Sequence, residues 1–242
     1  MPFPLAHPAA VLPLRRLCPR RLSFPALIIG SLSPDLGYFS GHLRLGGFSH
    51  SFWPGSFGFC LPAGLVMLLV YYVTRSRAVG ILPERYRQAL LPLCQRPPGS
   101  PLVIVVSLLI GAWTHLFLDS ITHEDGWLVE HLSVLQSALP WVGSHGIRVY
   151  DFLYAVCTFL GVTWVAVGYL RWLERAAGPL VLSAPGAKWC CALLFAAIIA
   201  CVAAVSHAEN RSLGLFPFGV VTVFIVTGFL VATGIRPNRT GN

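Results

Sequence analysis

The stretch GAWTHLFLDSITH, residues 111–123, sets Gly111, His115, Asp119 and His123 at intervals of four. On a helix that interval stacks side chains along one face, so an imidazole and a carboxylate converge on a single point. A nitrogen and an oxygen ligand spaced i, i+4 suit one divalent ion, and HExxH helices hold zinc with the same spacing. The surrounding sequence is apolar, and an ionisable side chain in an apolar span is costly unless it faces a cavity or a partner. The stripe therefore reads as metal-binding or acid–base chemistry. A His–Asp hydrogen bond that fastens two helices is the plainer alternative.

Other groups of ligand type lie in the same part of the chain: His7, Asp35, His42, His50, His123, Glu124, Asp125, His131, His145 and Asp151. Seven of the eight histidines and seven of the nine acids fall within the first 151 residues. Glu174, His207 and Glu209 beyond them read as solvated loop charges. Zinc and other divalent ions accept a mixed imidazole–carboxylate set, and two-ion hydrolases need about this many ligands. Glu124 and Asp125, next to His123, are placed to orient or deprotonate a water, which makes His123, Glu124 and Asp125 the candidate catalytic group. The seven cysteines show no CxxC and read as small buried hydrophobes. G-x-S-x-G, P-loop and GxGxxG motifs are absent, so serine-hydrolase, nucleotidase and dinucleotide chemistries lack their signatures.

The elements that must position these residues are set by composition. Of 242 residues, 55% are hydrophobic and only 11% charged, where soluble domains carry about a quarter. A chain of this size has too little interior to hide so much apolar surface, and disordered chains are apolar-poor. The expected fold is an all-α integral membrane protein, a polytopic helical bundle with five to six transmembrane helices plus an outer interfacial helix. The spans are expected at 56–74, 101–121, 150–170, 188–206 and 213–235. A sixth stretch, 22–39, breaks at Ser33-Pro34-Asp35 and reads as a short span or a re-entrant element. Residues 1–242 form a single membrane domain, with the site in 1–172 and two further hydrophobic helices in 173–242.

The net charge of +8 is carried almost wholly by Arg without a long basic run, which argues for loop charge that orients helices and against nucleic acid. Loops 75–100 and 171–188 would face the cytoplasm, and 122–149 the outside. Leu128, Leu132, Leu135 and Leu139 recur as one helical face between Trp127 and Trp141, the pattern expected of the outer interfacial helix.

Four ordered motifs carry a resemblance: MPFPLAHPAAVLPLRR, GSLSPDLGYF, FSHSF and LIGAWTHLFLDSITHEDGW. With them the chain resembles a bacterial membrane family, domain of unknown function 4184, from residue 1 to about 172. More distantly, the order His, Pro-Asp, His-Ser and His-x-x-x-Asp resembles inner-membrane metal-dependent hydrolases of bacteria, which are similar to zinc-dependent phospholipases C and related single-strand nucleases. That resemblance implies metal ligands at His7, Asp35, His50, His115 and Asp119, and a divalent cofactor, zinc before others. The soluble enzymes use a second His-x-x-x-Glu or His-x-x-x-Asp pair, which this chain lacks, so either His123 or His131 takes its place or the site holds one or two ions rather than three. The resemblance also implies residence in the bacterial inner membrane, with the lipid bilayer and a hydrophobic or lipid-like small molecule as partners. The leading expectation is a membrane-embedded hydrolase of a lipid-like phosphoester. A structural metal site, an acid–base isomerase or cyclase on a hydrophobic substrate, and a proton or ion relay stand as alternatives.

Overall fold

Helices begin and end where proline and serine dictate. A computed structural model describes residues 4–18, 21–39, 43–139 and 147–178. Its elements in chain order are α1 (Pro8–Leu17), α2 (Phe24–Leu32), α3 (Leu36–Phe39), α4 (Leu43–Ser49), α5 (Phe52–Gly55), a π-helical turn (Ser56–Cys60), α6 (Leu61–Gly80), α7 (Glu84–Cys94), α8 (Pro101–Thr122), α9 (Trp127–His131), α10 (Ser133–Gln136) and α11 (Val149–Ala177). Among the described residues there is no β-strand, only an isolated antiparallel bridge between Ala138 and Arg148.

Among the described residues, three helical stretches are long and apolar enough to cross a membrane: Phe52–Gly80, Pro101–Thr122 and Val149–Ala177, with mean hydropathies of 1.9, 2.1 and 1.7. They mark the chain as a membrane protein. The expected spans at 188–206 and 213–235 lie outside the described residues. Residues 22–39 do not make a full span. The nine residues of α2 rise about 14 Å, under half of a hydrocarbon core of roughly 30 Å. Pro34, which has no N–H, stops the helix there, and the Ser33 hydroxyl donates to the Gly30 carbonyl at 2.8 Å.

The chain divides into two compact units, Met1–Ser76 with Cys94–Leu170, and Arg77–Leu93 with Arg171–Asn242. In the second, the described part holds α7 and the end of α11. Tyr86 and Leu173 are fully buried there, and Arg85 donates to the Gly178 carbonyl.

In the first unit α2 packs on α8 at backbone distance. A Cβ on Gly30 would stand 2.2 Å from the Leu108 carbonyl oxygen, and one on Gly111 would stand 2.3 Å from that of Leu27. Only glycine fits at either place. In a bilayer lipid tails are as apolar as Leu, so such small-residue contact is what holds spans together. Ala26, Ile29, Leu68 and Leu108 close the core around it.

The outer leucine helix is not continuous. It breaks at Leu132, extended at φ −116° and ψ 101°, into α9 and α10. Backbone bonds from Leu139 N–H to Ile147 and from Val149 N–H to Ser137 draw the chain into the bridge with Arg148. Those pairings replace the helical ones a longer helix would have made. Leu135 is buried while Leu132 is 45% exposed, so the four leucines share no single buried face.

Candidate metal centre

Six side chains meet in the first unit, and each is delivered by a local device. The three-residue 3₁₀ turn Pro4–Ala6 leads into His7, with Pro8 at the first position of α1, where its missing N–H is harmless. The Ser33-Pro34 turn after α2 presents Asp35. The end of α4 presents His50 and is tied to that turn, because Ser49 Oγ lies 2.7 Å from the Pro34 carbonyl and 2.8 Å from that of Gly46. The buried face of α8 carries Gly111, His115 and Asp119, and the helix ends on His123, whose N–H reaches the Asp119 carbonyl at 3.1 Å.

The ring nitrogens are sorted by backbone carbonyls. His115 Nδ1 is 2.8 Å from the Ser31 carbonyl, His50 Nδ1 2.8 Å from that of Gly46, and His123 Nδ1 3.2 Å from that of Asp119. A carbonyl oxygen only accepts, so each Nδ1 carries the proton and donates. Each Nε2 is left to meet the cluster, as in metal-ligating histidines oriented by an outer partner. Burial holds the His123 imidazole down to about 4, which keeps it neutral.

The two carboxylates stand among these rings. Asp119 Oδ2 lies 3.0 Å from His115 Nε2 and 3.3 Å from His50 Nε2. Its Oδ1 lies 3.7 Å from His7 Nε2 and 3.6 Å from His123 Nδ1. Asp35 Oδ1 is 3.6 Å from His115 Nε2 and 3.8 Å from His50 Nε2. The His7 ring stacks on that of His115 at 3.7 Å. Four carboxylate oxygens, both ring nitrogens of His7, and Nε2 of His50, His115 and His123 have no hydrogen-bond partner. Among the described residues, Asp35 and Asp119 form ion pairs with histidines alone and with no Arg.

Two buried carboxylates facing only imidazoles, with no hydrogen-bond partner for any of their four oxygens, make a costly arrangement that a divalent cation relieves. The spacing suits one. Ligand atoms about 2.0–2.2 Å from a tetrahedral zinc stand about 3.4 Å from each other, and the contacts here run from 3.0 to 3.8 Å. Two triads, His7/Asp35/His115 and His50/His115/Asp119, have ligand atoms all within 4.8 Å of one another. The cluster is closed on one side and open on the other. His115 and Asp35 side chains are 0% and 1% exposed, against 16% for His50 and 20% for His123.

The five ligands implied at His7, Asp35, His50, His115 and Asp119 thus lie together, with His123 at the open edge. Glu124 and Asp125 follow His123 on an exposed turn. Exposed His131 stays outside the cluster: it stacks on Trp127 at 4.4 Å and its Nδ1 meets the Trp127 carbonyl at 2.7 Å. Asp151 is exposed, and His42 and His145 lie outside the described residues. Ser31, Gly46 and Ser49, which orient the ligands, were not singled out from the sequence. Neither was Tyr38, half-buried with its ring 4.9 Å from that of His50. The serines stand inside the GSLSPDLGYF and FSHSF motifs, which is the only trace they leave.

A membrane-spanning helical unit with a buried His/Asp cluster able to hold a metal ion is the class that the fold and site define. The chain matches the family described as Domain of unknown function (DUF4184) over residues 1–236 and belongs to it. No curated protein and no solved structure matches the chain.

Proposed function

We propose that the protein is a metal-dependent hydrolase of the bacterial inner membrane that cleaves a phosphoester in a lipid-like substrate. The observation that carries this is the open-edged cluster of partnerless imidazole and carboxylate atoms near the end of α8. His7, Asp35, His50, His115 and Asp119 would hold the ion, zinc before others. A divalent ion there supplies polarisation of a phosphoryl oxygen and a more acidic water. The chain's own residues do the rest. His50, Asp119 and His123 form the accessible edge, where a headgroup can approach; closed structural sites lack such an edge. His123 steadies that edge through its bond to the Asp119 carbonyl. Glu124 or Asp125, on the exposed turn beside it, would orient the attacking water or take its proton.

The test is metal analysis of detergent-purified protein beside His115→Ala, together with phosphate release from a panel of phospholipids and polyprenyl phosphates. Stoichiometric metal and turnover in the wild type, both lost in the variant, are expected. A wild type that binds no divalent ion removes the reading.

A further inference from the structure

Beside the metal cluster, in the same unit, an apolar groove of about 410 Å³ runs between α1 and α8, lined by Ala10, Ile110, Trp113, Thr114, Phe117 and Leu118. Its few polar atoms are already engaged. Thr114 Oγ1 donates to the Gly111 carbonyl at 2.7 Å, and Trp113 Nε1 donates to Ser56 Oγ at 3.2 Å. With no free donor or charge in its walls, the groove can recognise only hydrocarbon.

Its position relates it to the site. Thr114 and Leu118 directly precede His115 and Asp119 in α8, and Ala10 is three residues after His7. From Ile110 to Leu118 the helix rises about 12 Å, and Asp119 lies only about 5 Å short of the helix end at Thr122. In a span of this length the Asp119 and His123 end of the cluster lies near headgroup depth, and the groove runs alongside His115 down into the acyl layer. An aromatic group flanks the groove at Trp113. Phe52 stacks on Trp113 at 5.8 Å, Trp53 meets Trp113 edge-on at 6.2 Å, and Trp53 stacks on Phe57 at 6.0 Å. Phe52, Trp53 and Phe57 are 49%, 61% and 48% exposed, so the apolar surface continues outward from the groove. The π-helical turn at Ser56–Cys60 supplies Phe57 and the Ser56 hydroxyl that accepts from Trp113. The groove is continuous with the lipid-facing surface, since its own Phe117 is 61% exposed.

We infer that this groove holds one hydrocarbon chain of a phosphate-bearing lipid that enters sideways from the bilayer, with the phosphate presented to the His/Asp cluster. Occupancy of the groove stands on its own; delivery of the phosphate rests on the hydrolase reading. The probe is phosphatidic acid with a diazirine in its acyl chain, in phosphatidylcholine nanodiscs, with photolabelled residues mapped by mass spectrometry. Saturable labelling of 110–118 is expected, competed by unlabelled phosphatidic acid and reduced about tenfold by Thr114→Trp. Labelling of the exposed α6 positions Leu65, Val66 and Leu69 should not change. Ala10→Leu narrows the opposite wall and serves if Thr114→Trp does not fold. Groove labelling that is unsaturable and no stronger than on α6 means bulk lipid only and overturns the proposal. Turnover with background labelling removes the groove and leaves the hydrolase. Saturable labelling in a protein with neither metal nor turnover leaves the groove and removes the hydrolase.

Discussion

Asp119 is the residue on which the cluster turns, because its two oxygens face four imidazoles within 3.7 Å. Asp119→Asn keeps the shape and one acceptor but removes the charge that holds a divalent ion. Loss of bound metal is expected, read by elemental analysis of the purified variant; metal retained at wild-type stoichiometry would contradict the assignment. Ser49→Ala reaches the site indirectly. It removes the hydroxyl between the Pro34 and Gly46 carbonyls, freeing the Asp35 turn from α4. Outer-shell losses of this kind weaken metal affinity by about 10- to 100-fold, measurable by competition with a chelating dye. Unchanged affinity would mean the turn is held by packing alone. The α8 stripe was legible from sequence because i, i+4 spacing in an apolar run has few meanings. Ser49 was not, because a serine beside a histidine has no signature until the fold brings Pro34 within reach.

At the scale of the element, the contact between α2 and α8 decides whether His115 meets Ser31 and Asp35 at all. Gly111→Val would place a Cβ 2.3 Å from the Leu27 carbonyl oxygen and 2.7 Å from the Ser31 nitrogen, with two methyl groups still to be fitted. Overpacking of this kind costs about 1–3 kcal/mol, and here it also shifts the carbonyl that orients His115. A lower melting temperature together with reduced metal content is expected. Gly47→Ala is the control, since nothing lies within 4 Å of its added Cβ, and relieving a helical glycine stabilises by about 0.5–1 kcal/mol. Equal melting temperatures for Gly111→Val and the wild type would show that α2 and α8 tolerate separation. Long apolar helices were legible by length and composition. The short ones were not. Pro34 and the Ser33 hydroxyl cut residues 22–39 after nine helical residues, and the bridge to Arg148 interrupts the leucine periodicity of 128–139. Each case is a local pairing overriding a pattern that hydropathy alone reads as continuous.

For the whole molecule the question is what an ion held by the cluster would do for the fold. A ligand that binds only the folded state stabilises it in proportion to the logarithm of its occupancy, about 2.7 kcal/mol at a hundredfold excess over its dissociation constant. Chelation should therefore lower the melting temperature whatever the role, and the size of the drop separates roles. His7, Asp35 and His115 are closed off, while His50 and His123 keep an edge at 16% and 20% exposure. Helix packing through Gly30 and Gly111 does not depend on the ion, so the stripped protein is expected to stay folded, melting a few degrees lower and recovering fully on reloading with zinc. Circular dichroism of chelated, reloaded and untreated protein in one detergent measures this. Collapse of helicity on chelation, without recovery, would assign the ion to holding α1, α2, α4 and α8 together, and the open edge would then need another explanation. A modest reversible drop, with phosphate release returning as zinc is added back, is the outcome expected of a centre whose ion serves the reaction and whose scaffold stands without it.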